Sequence, residues 1–302
     1  MADKPVVGFV GVGLMGWGMA KNAVEKGYAV RVIAHRKREA IDDLVTRGAK
    51  EVSSLKEMAA EVDAVVLCVT GSPEVEATIA GLLAGAREGL TILDASTSDP
   101  EVTERLAREL AGKGMTLLDI PLSRTPVQAW AGELTTFVGG PAELVEKWRP
   151  LLETWASAII PTGGPVGSAH SLKLINNLVA LGYAAVWAEC YGMARKIGVP
   201  AGVFREVVSN SGMNCPNFQN FSKYPVDGDR EGHKFSIANA FKDLSYYEKM
   251  ATRHRAVTLM SDGALQTLKL GMAMGMGERY VPEMTDIVVG LNEPREGLSG
   301  KG

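Results

Sequence analysis

Cysteine is scarce. Cys68, Cys190 and Cys215 are all that the 302 positions hold, an odd number with no CxxC pair. That pattern argues for reduced thiols instead of a disulfide scaffold, and it supplies no zinc site. An excess of charge of one sign is equally slight, with 32 Lys and Arg against 35 Asp and Glu. The formal net charge is −3, which argues against a general nucleic-acid binder and does not point to an anionic membrane surface. No run of about eighteen uninterrupted apolar residues occurs, so no membrane span is expected. The opening "MADKPVVGFV" lacks the basic region and long apolar stretch of a secretion signal. These absences leave the expectation of a soluble, cytoplasmic protein without a metal centre.

The composition is 46% hydrophobic and 22% charged, enough apolar material for a substantial core. At this length two ordinary domains are expected, and the sequence changes character partway along. In the first half, "VVGFV" (6–10), "AVRVIA" (29–34), "AVVLCV" (64–69) and "TILDAS" (91–96) read as buried strands. "MTLLDIP" (115–121) and "LTTFVGG" (134–140) follow them. Amphipathic stretches such as "EVTERLARELAGKG" lie between, and strand–helix alternation predicts a parallel sheet with right-handed crossovers. After about Thr162 no further strand is evident, and long apolar helices rich in Ala, Met and Leu take over. "GGP" (163–165) offers a helix start and "GVP" (198–200) a stop, a helix of roughly 48 Å at 1.5 Å per residue. The expected fold is therefore α/β: a Rossmann-type doubly wound sheet over residues 1–162, then an all-α domain over 163–302 for substrate and assembly, joined through that long helix.

Gly11-x-Gly13-x-x-Gly16 falls between the first strand and the first helix, with Leu14 and Met15 before the last glycine. Glycines there allow a tight turn and bring backbone amides against a pyrophosphate at a helix N-terminus. About twenty residues on, an NAD site usually places an acid against the adenosine ribose. Here the second strand ends in His35-Arg36-Lys37-Arg38. A planar arginine fork suits a 2′-phosphate that a carboxylate would repel. The expectation is NADP(H) in preference to NAD(H), with Arg36 as main ligand, His35 and Lys37 flanking it, and no role for Arg38. Thr97, just past the fourth apolar strand, and Val69-Thr70, after the third, lie where the nicotinamide half is expected.

The first helix of the second half begins "GSAHSLKLINN" (167–177). Lys173 and Asn177 are four residues apart and share a helix face, with Asn176 at its border. Apolar flanks favour a partly buried polar cluster, in which a carboxamide orients the ammonium and burial draws it towards general acid/base work.

With these motifs in hand, the sequence resembles the β-hydroxyacid dehydrogenase family, which includes 3-hydroxyisobutyrate dehydrogenases and tartronate semialdehyde reductases. "GFVGVGLMGWGMAKN" is similar to its cofactor loop and "DASTSDP" to its fourth-strand motif. "DIPLSRTPVQAWAGELTTFVGG" resembles its substrate-binding segment, "GPVGSAHSLKLINN" its catalytic helix and "FKDL" (241–244) a later motif. The resemblance covers nearly the whole chain. It implies that Lys173 is the catalytic acid/base and that Asn177 positions it and helps bind the substrate acid group. It further implies that Ser123 holds the substrate carboxylate and that Lys242 lies beside cofactor and substrate. The family usually has two glycines after that serine, where this chain has Arg124 and Thr125. That variant is similar to sulfolactaldehyde reductases, in which the arginine is associated with an anionic head group. Arg124 and Thr125 thus join the expected substrate contacts. A second departure, Ala169 in place of a common glycine, narrows the pocket slightly.

The implied activity is reversible hydride transfer between NADP(H) and a small anionic aldehyde or hydroxyacid. Imine reductases share the fold but commonly lack the lysine, and 6-phosphogluconate dehydrogenases have a much longer helical domain. A non-catalytic NADP-binding scaffold is the remaining alternative. Apolar helices in excess of what one subunit covers predict a homodimer or homotetramer.

Overall fold

A computed structural model describes residues 4–35 and 37–293. Contacts divide the chain into two compact units, Met1–Leu174 and Ile175–Gly302.

The first unit is built on strands β1 (Val7–Val10), β2 (Val30–Val32), β3 (Lys50–Glu51), β4 (Ala64–Leu67), β5 (Thr91–Asp94) and β6 (Thr116–Asp119). They form one sheet in the order β3-β2-β1-β4-β5-β6, and every pairing is parallel. Helices α1 (Gly16–Glu25), α2 (Glu39–Thr46), α3 (Leu55–Glu61), α4 (Ser72–Leu83) and α5 (Pro100–Ala111) make the connections. Because both faces are covered, the central strands are continuous apolar runs; every residue of β4 and β5 is buried. Alternate residues feed opposite cores. Val66 and Leu93 join Phe9, Met19 and Ile41 on one face, while Val65 and Ile92 join Met58, Ile79 and Leu106 on the other. Each such fully buried side chain contributes roughly 1.5–3 kcal/mol.

Two departures from the sequence reading have plain causes. β3 is a two-residue edge strand of exposed Lys and Glu, so it carries no apolar signal. "LTTFVGG" does form a strand, β8 (Leu134–Val138), but not in the main sheet. It pairs antiparallel with β7 (Leu122–Ser123) and parallel with β9 (Ala156–Pro161) in a separate three-stranded sheet. β9 is half-exposed and ends in proline, which hides it from a search for buried runs. Helices α6 (Pro126–Ala131) and α7 (Ala142–Leu152) link these strands.

Helix α8 (Ser168–Lys196) begins in the first unit and continues into the second. Its 29 residues span about 43 Å, with a start a few residues later than "GGP" suggests. In the second unit it is followed by α9 (Ala201–Ser209), α10 (Pro216–Asp227), α11 (Ile237–His254), α12 (Ser261–Ala273), a short 3-10 turn (Val281–Glu283) and α13 (Met284–Asn292). This unit has its own core, in which Trp187 of α8 meets Phe218 and Phe221 of α10 with ring centroids 5.4 Å apart. Ile237, Leu244, Leu268 and Ile287 complete it.

Candidate active site

Parallel strands bring the carboxyl ends of β1, β2, β4, β5 and β6 to one edge of the sheet. The order reverses between β1 and β4, where doubly wound sheets open a crevice. The glycine loop leaves β1 at that point. Gly11 has φ +91°, and a Cβ there would lie 2.2 Å from the carbonyl oxygen of Cys68. A Cβ on Gly16 would lie 2.0 Å from the Gly11 carbonyl oxygen. Both close the turn on itself. Gly13 faces open space within 4 Å. Helix α1 has no side-chain cap and no acid in its first turn, so its leading N–H groups and positive dipole end face that space. Leu14 is exposed and Met15 half-buried. An uncapped helix start behind an open glycine is the arrangement a pyrophosphate requires, and the loop fits a dinucleotide. Beneath it, burial and the Asp94 carboxylate push the Cys68 thiol up to about 12, so it stays protonated.

Of the basic residues after β2, Arg36 lies outside the described residues. His35 and Lys37 are exposed. Arg38 is engaged with Asp42 at 3.0 Å and Glu51 at 2.9 Å, and these carboxylates hold its guanidinium well above its ordinary value. Past β4, Val69 is half-buried and Thr70 exposed; the Val69 N–H donates to the Ser96 hydroxyl at 3.0 Å. Thr97 is half-buried in the same stretch.

Ser123 ends β7 opposite Thr135. The next residue, Arg124, has φ +89°, one of two non-glycine residues with positive φ among the described residues. Its side chain is exposed and has no hydrogen bond or ion pair among the described residues. Backbone strain of this kind costs about 1–3 kcal/mol and concentrates where function holds it in place. Thr125 is the N-cap residue of α6. Its N–H donates to the Gln128 carboxamide oxygen at 3.2 Å, and its hydroxyl donates to the same atom. Its hydroxyl is thus engaged in shaping the loop.

On α8, Lys173 is half-buried, Asn176 exposed and Asn177 buried. The Asn177 amide donates to Asp243 Oδ2 at 2.6 Å, which makes the carboxamide oxygen its acceptor end, and that oxygen takes the Asn176 amide at 3.5 Å. Asp243 is itself buried and has Lys242 Nζ 2.9 Å from its other oxygen. Lys242 also lies 5.2 Å from the Tyr246 ring centroid. The buried Asp243 of α11, paired with half-buried Lys242, therefore holds Asn177, a link the sequence separates by 66 positions. Asp119, at the end of β6, grips the first turn of α8 through the N–H groups of Gly167 and His170. Neither carboxylate role is legible without the fold. Among the described residues no group of His, Cys, Asp and Glu could hold a metal ion, and no helix is long and apolar enough to cross a membrane.

Residues 6–164 match the family described as the NAD binding domain of 6-phosphogluconate dehydrogenase. Residues 167–286 match the NAD-binding domain of NADP-dependent 3-hydroxyisobutyrate dehydrogenase. A 3-sulfolactaldehyde reductase of Escherichia coli (strain K12) is 28% identical over 277 residues, 90% of this chain and 92% of that protein. The crystal structure of a 3-hydroxyisobutyrate dehydrogenase from Salmonella typhimurium superimposes with a TM-score of 0.86 at 26% identity, covering 94% of this chain and all of that one. A structure described as Psf3 in complex with NADP+ and 2-OPP has a TM-score of 0.80 at 25% identity over 93% of this chain and 99% of that one.

Proposed function

The chain belongs to the β-hydroxyacid dehydrogenase family, and from that premise we propose that it is an NADP(H)-dependent oxidoreductase interconverting a small aldehyde bearing an acid group and the matching hydroxyacid. The observation that carries this reading is the Lys173–Asn177 turn of α8, in which a buried carboxamide is oriented by Asp243 one turn from a half-buried lysine. When bound, the cofactor supplies hydride to the carbonyl carbon in one direction and accepts it in the other. Gly11, Gly13, Leu14, Met15 and Gly16 would hold the pyrophosphate. His35, Arg36 and Lys37 would hold the 2′-phosphate, and Val69, Thr70, Thr97 and Lys242 the nicotinamide half.

In reduction, Lys173 donates a proton from Nζ to the developing alkoxide; in oxidation it takes the proton from the hydroxyl. Such proton transfer is worth about 10²- to 10⁴-fold in rate. Asn177, one helical turn away, orients the lysine. Ser123 and Arg124 hold the acid group, with Thr125 shaping the loop that presents them. Arginine is the side chain suited to a planar, bidentate grip on carboxylate, sulfonate or phosphate oxygens. The relatives act, by name, on a sulfonated aldehyde and on a carboxylated hydroxyacid, which supports an anionic head group. We further infer a cytoplasmic homodimer or homotetramer. Support comes from α9, none of whose residues is buried although Val203 and Val207 are apolar.

The test is NADPH oxidation with methylmalonate semialdehyde, tartronate semialdehyde, succinic semialdehyde, glyoxylate and sulfolactaldehyde, each repeated with NADH. Turnover of at least one, faster with NADPH, is expected. An enzyme that binds NADPH yet reduces none of them contradicts the proposal.

A further inference from the structure

Two buried carboxylates, Asp94 and Asp119, stand side by side at the ends of β5 and β6, and nothing in the hydride-transfer reading uses them. Asp119 accepts from the N–H of Gly167 at 2.9 Å and from the N–H of His170 at 2.8 Å. The first N–H groups of a helix have no partner within it, and a neighbouring residue in the chain ordinarily supplies one. Here the cap of α8 comes from 48 and 51 positions earlier, and it is a full negative charge against the positive end of the helix dipole.

Asp119 is fixed from its other side too. Its carbonyl accepts from the Gly139 N–H at 2.9 Å, and a Cβ on Gly139 would lie 2.4 Å from Asp119 Oδ1, so the carboxylate occupies a slot cut to its size. From Asp119 the chain runs directly into Ser123 and Arg124. The gripped helix turn runs directly into Lys173. His170, fully buried, has its Nδ1 2.9 Å from the Thr103 hydroxyl, while its Nε2 lies 3.8 Å from Asp94 Oδ2, beyond hydrogen-bond distance. Asp94 in turn accepts from the Ser96 N–H at 2.9 Å and the Ser98 hydroxyl at 3.0 Å. The Ile120 N–H donates to the Asp94 carbonyl at 2.7 Å, so one buried brace ties together the segments at 94–98, 119–124 and 167–173.

We propose that Asp119 is a positioning residue for the reaction: by gripping Gly167 and His170 while anchoring the base of the Ser123–Arg124 loop, it fixes the register between the acid-group contacts and the Lys173 ammonium. This rests on Lys173 being the acid/base. Misplacement of a reacting group by about 1 Å costs on the order of 100-fold in rate, whereas none of these Asp119 hydrogen bonds, to Gly167, His170 and Gly139, is made to the glycine loop.

Two variants test it. Asp119→Asn keeps the shape but turns one acceptor into a donor, so only one of the two N–H groups is met. Gly139→Ala leaves Asp119 intact and displaces its carboxylate. In both, amide exchange at Gly167 and His170 accelerates in the cofactor-free protein. In both, kcat falls by about 10- to 100-fold while the NADPH dissociation constant stays within about twofold. The primary isotope effect with NADPH deuterated at the transferred position rises, because a misplaced acid makes the chemical step limiting. Unchanged kcat and isotope effect overturn the proposal. So does a loss of rate fully accounted for by missing NADPH-binding sites, which makes Asp119 a folding residue only. Silence of the wild-type enzyme in the same assay is a different failure: it removes the hydride-transfer reading, and the brace's catalytic meaning with it.

Discussion

At the scale of single residues, Arg124 concentrates the specificity argument. A long cationic side chain sits where the backbone adopts φ +89°, a conformation that suits glycine and strains every other residue. Arg124→Gly is expected to raise unfolding stability by about 1 kcal/mol in urea titrations. The same change should raise KM for the acid-bearing aldehyde by about 10- to 100-fold, the worth of a charge-assisted hydrogen bond. A variant that is both more stable and equally effective would mean that the arginine is incidental. This scale also shows what the sequence discloses. Lys173 and Asn177 are legible because helical spacing alone puts them on one face. Asp243, Asp119 and His170 are not, since their contacts join positions far apart in the chain, and an aspartate reads the same in sequence whether it is solvated or buried.

Among elements, the contact between α1 and α6 joins the helix after the glycine loop to the helix after Ser123 and Arg124. The buried Asn22 amide of α1 donates to Ala129 O at 2.9 Å and Trp130 O at 3.4 Å, satisfying carbonyls at the end of α6. Gly18 allows that approach, for its Cβ would lie 2.5 Å from the Ala129 carbonyl carbon. Gly18→Ala should therefore lower stability by about 1–3 kcal/mol, the usual cost of overpacking against backbone that cannot yield, read as an earlier denaturation midpoint. A neutral result would show that α6 is free to shift. The elements that strand patterning finds are those buried on both faces, such as β4 and β5. It misses β3, β7 and β9, which are short or half-exposed. The second sheet escapes for that reason: β8 has a strand's sequence, but its partners have little.

Over the whole molecule, the two-part plan follows from the change of pattern near residue 162, and the structure shows a Rossmann-type sheet followed by a helical unit. Part of the exposed surface is apolar. Ile175, Val179, Val186 and Met193 recur at helical spacing along α8, with Ile197 just past its end, each about half exposed or more. An exposed stripe of that length marks an interface more often than it marks a monomer's surface. Light scattering after size exclusion is expected to give a dimer or tetramer, and the double variant Val179→Glu, Val186→Glu a smaller species. A monomeric wild type would contradict the assembly.

The central claim is that Lys173 carries the proton in a reaction whose cofactor is held elsewhere in the chain. Initial rates of NADPH oxidation by wild type and Lys173→Ala, alongside NADPH titration by fluorescence, test it most directly. The expected result is a fall in turnover of about 10²- to 10⁴-fold with NADPH affinity nearly unchanged. A Lys173→Ala enzyme that turns over at the wild-type rate would contradict it.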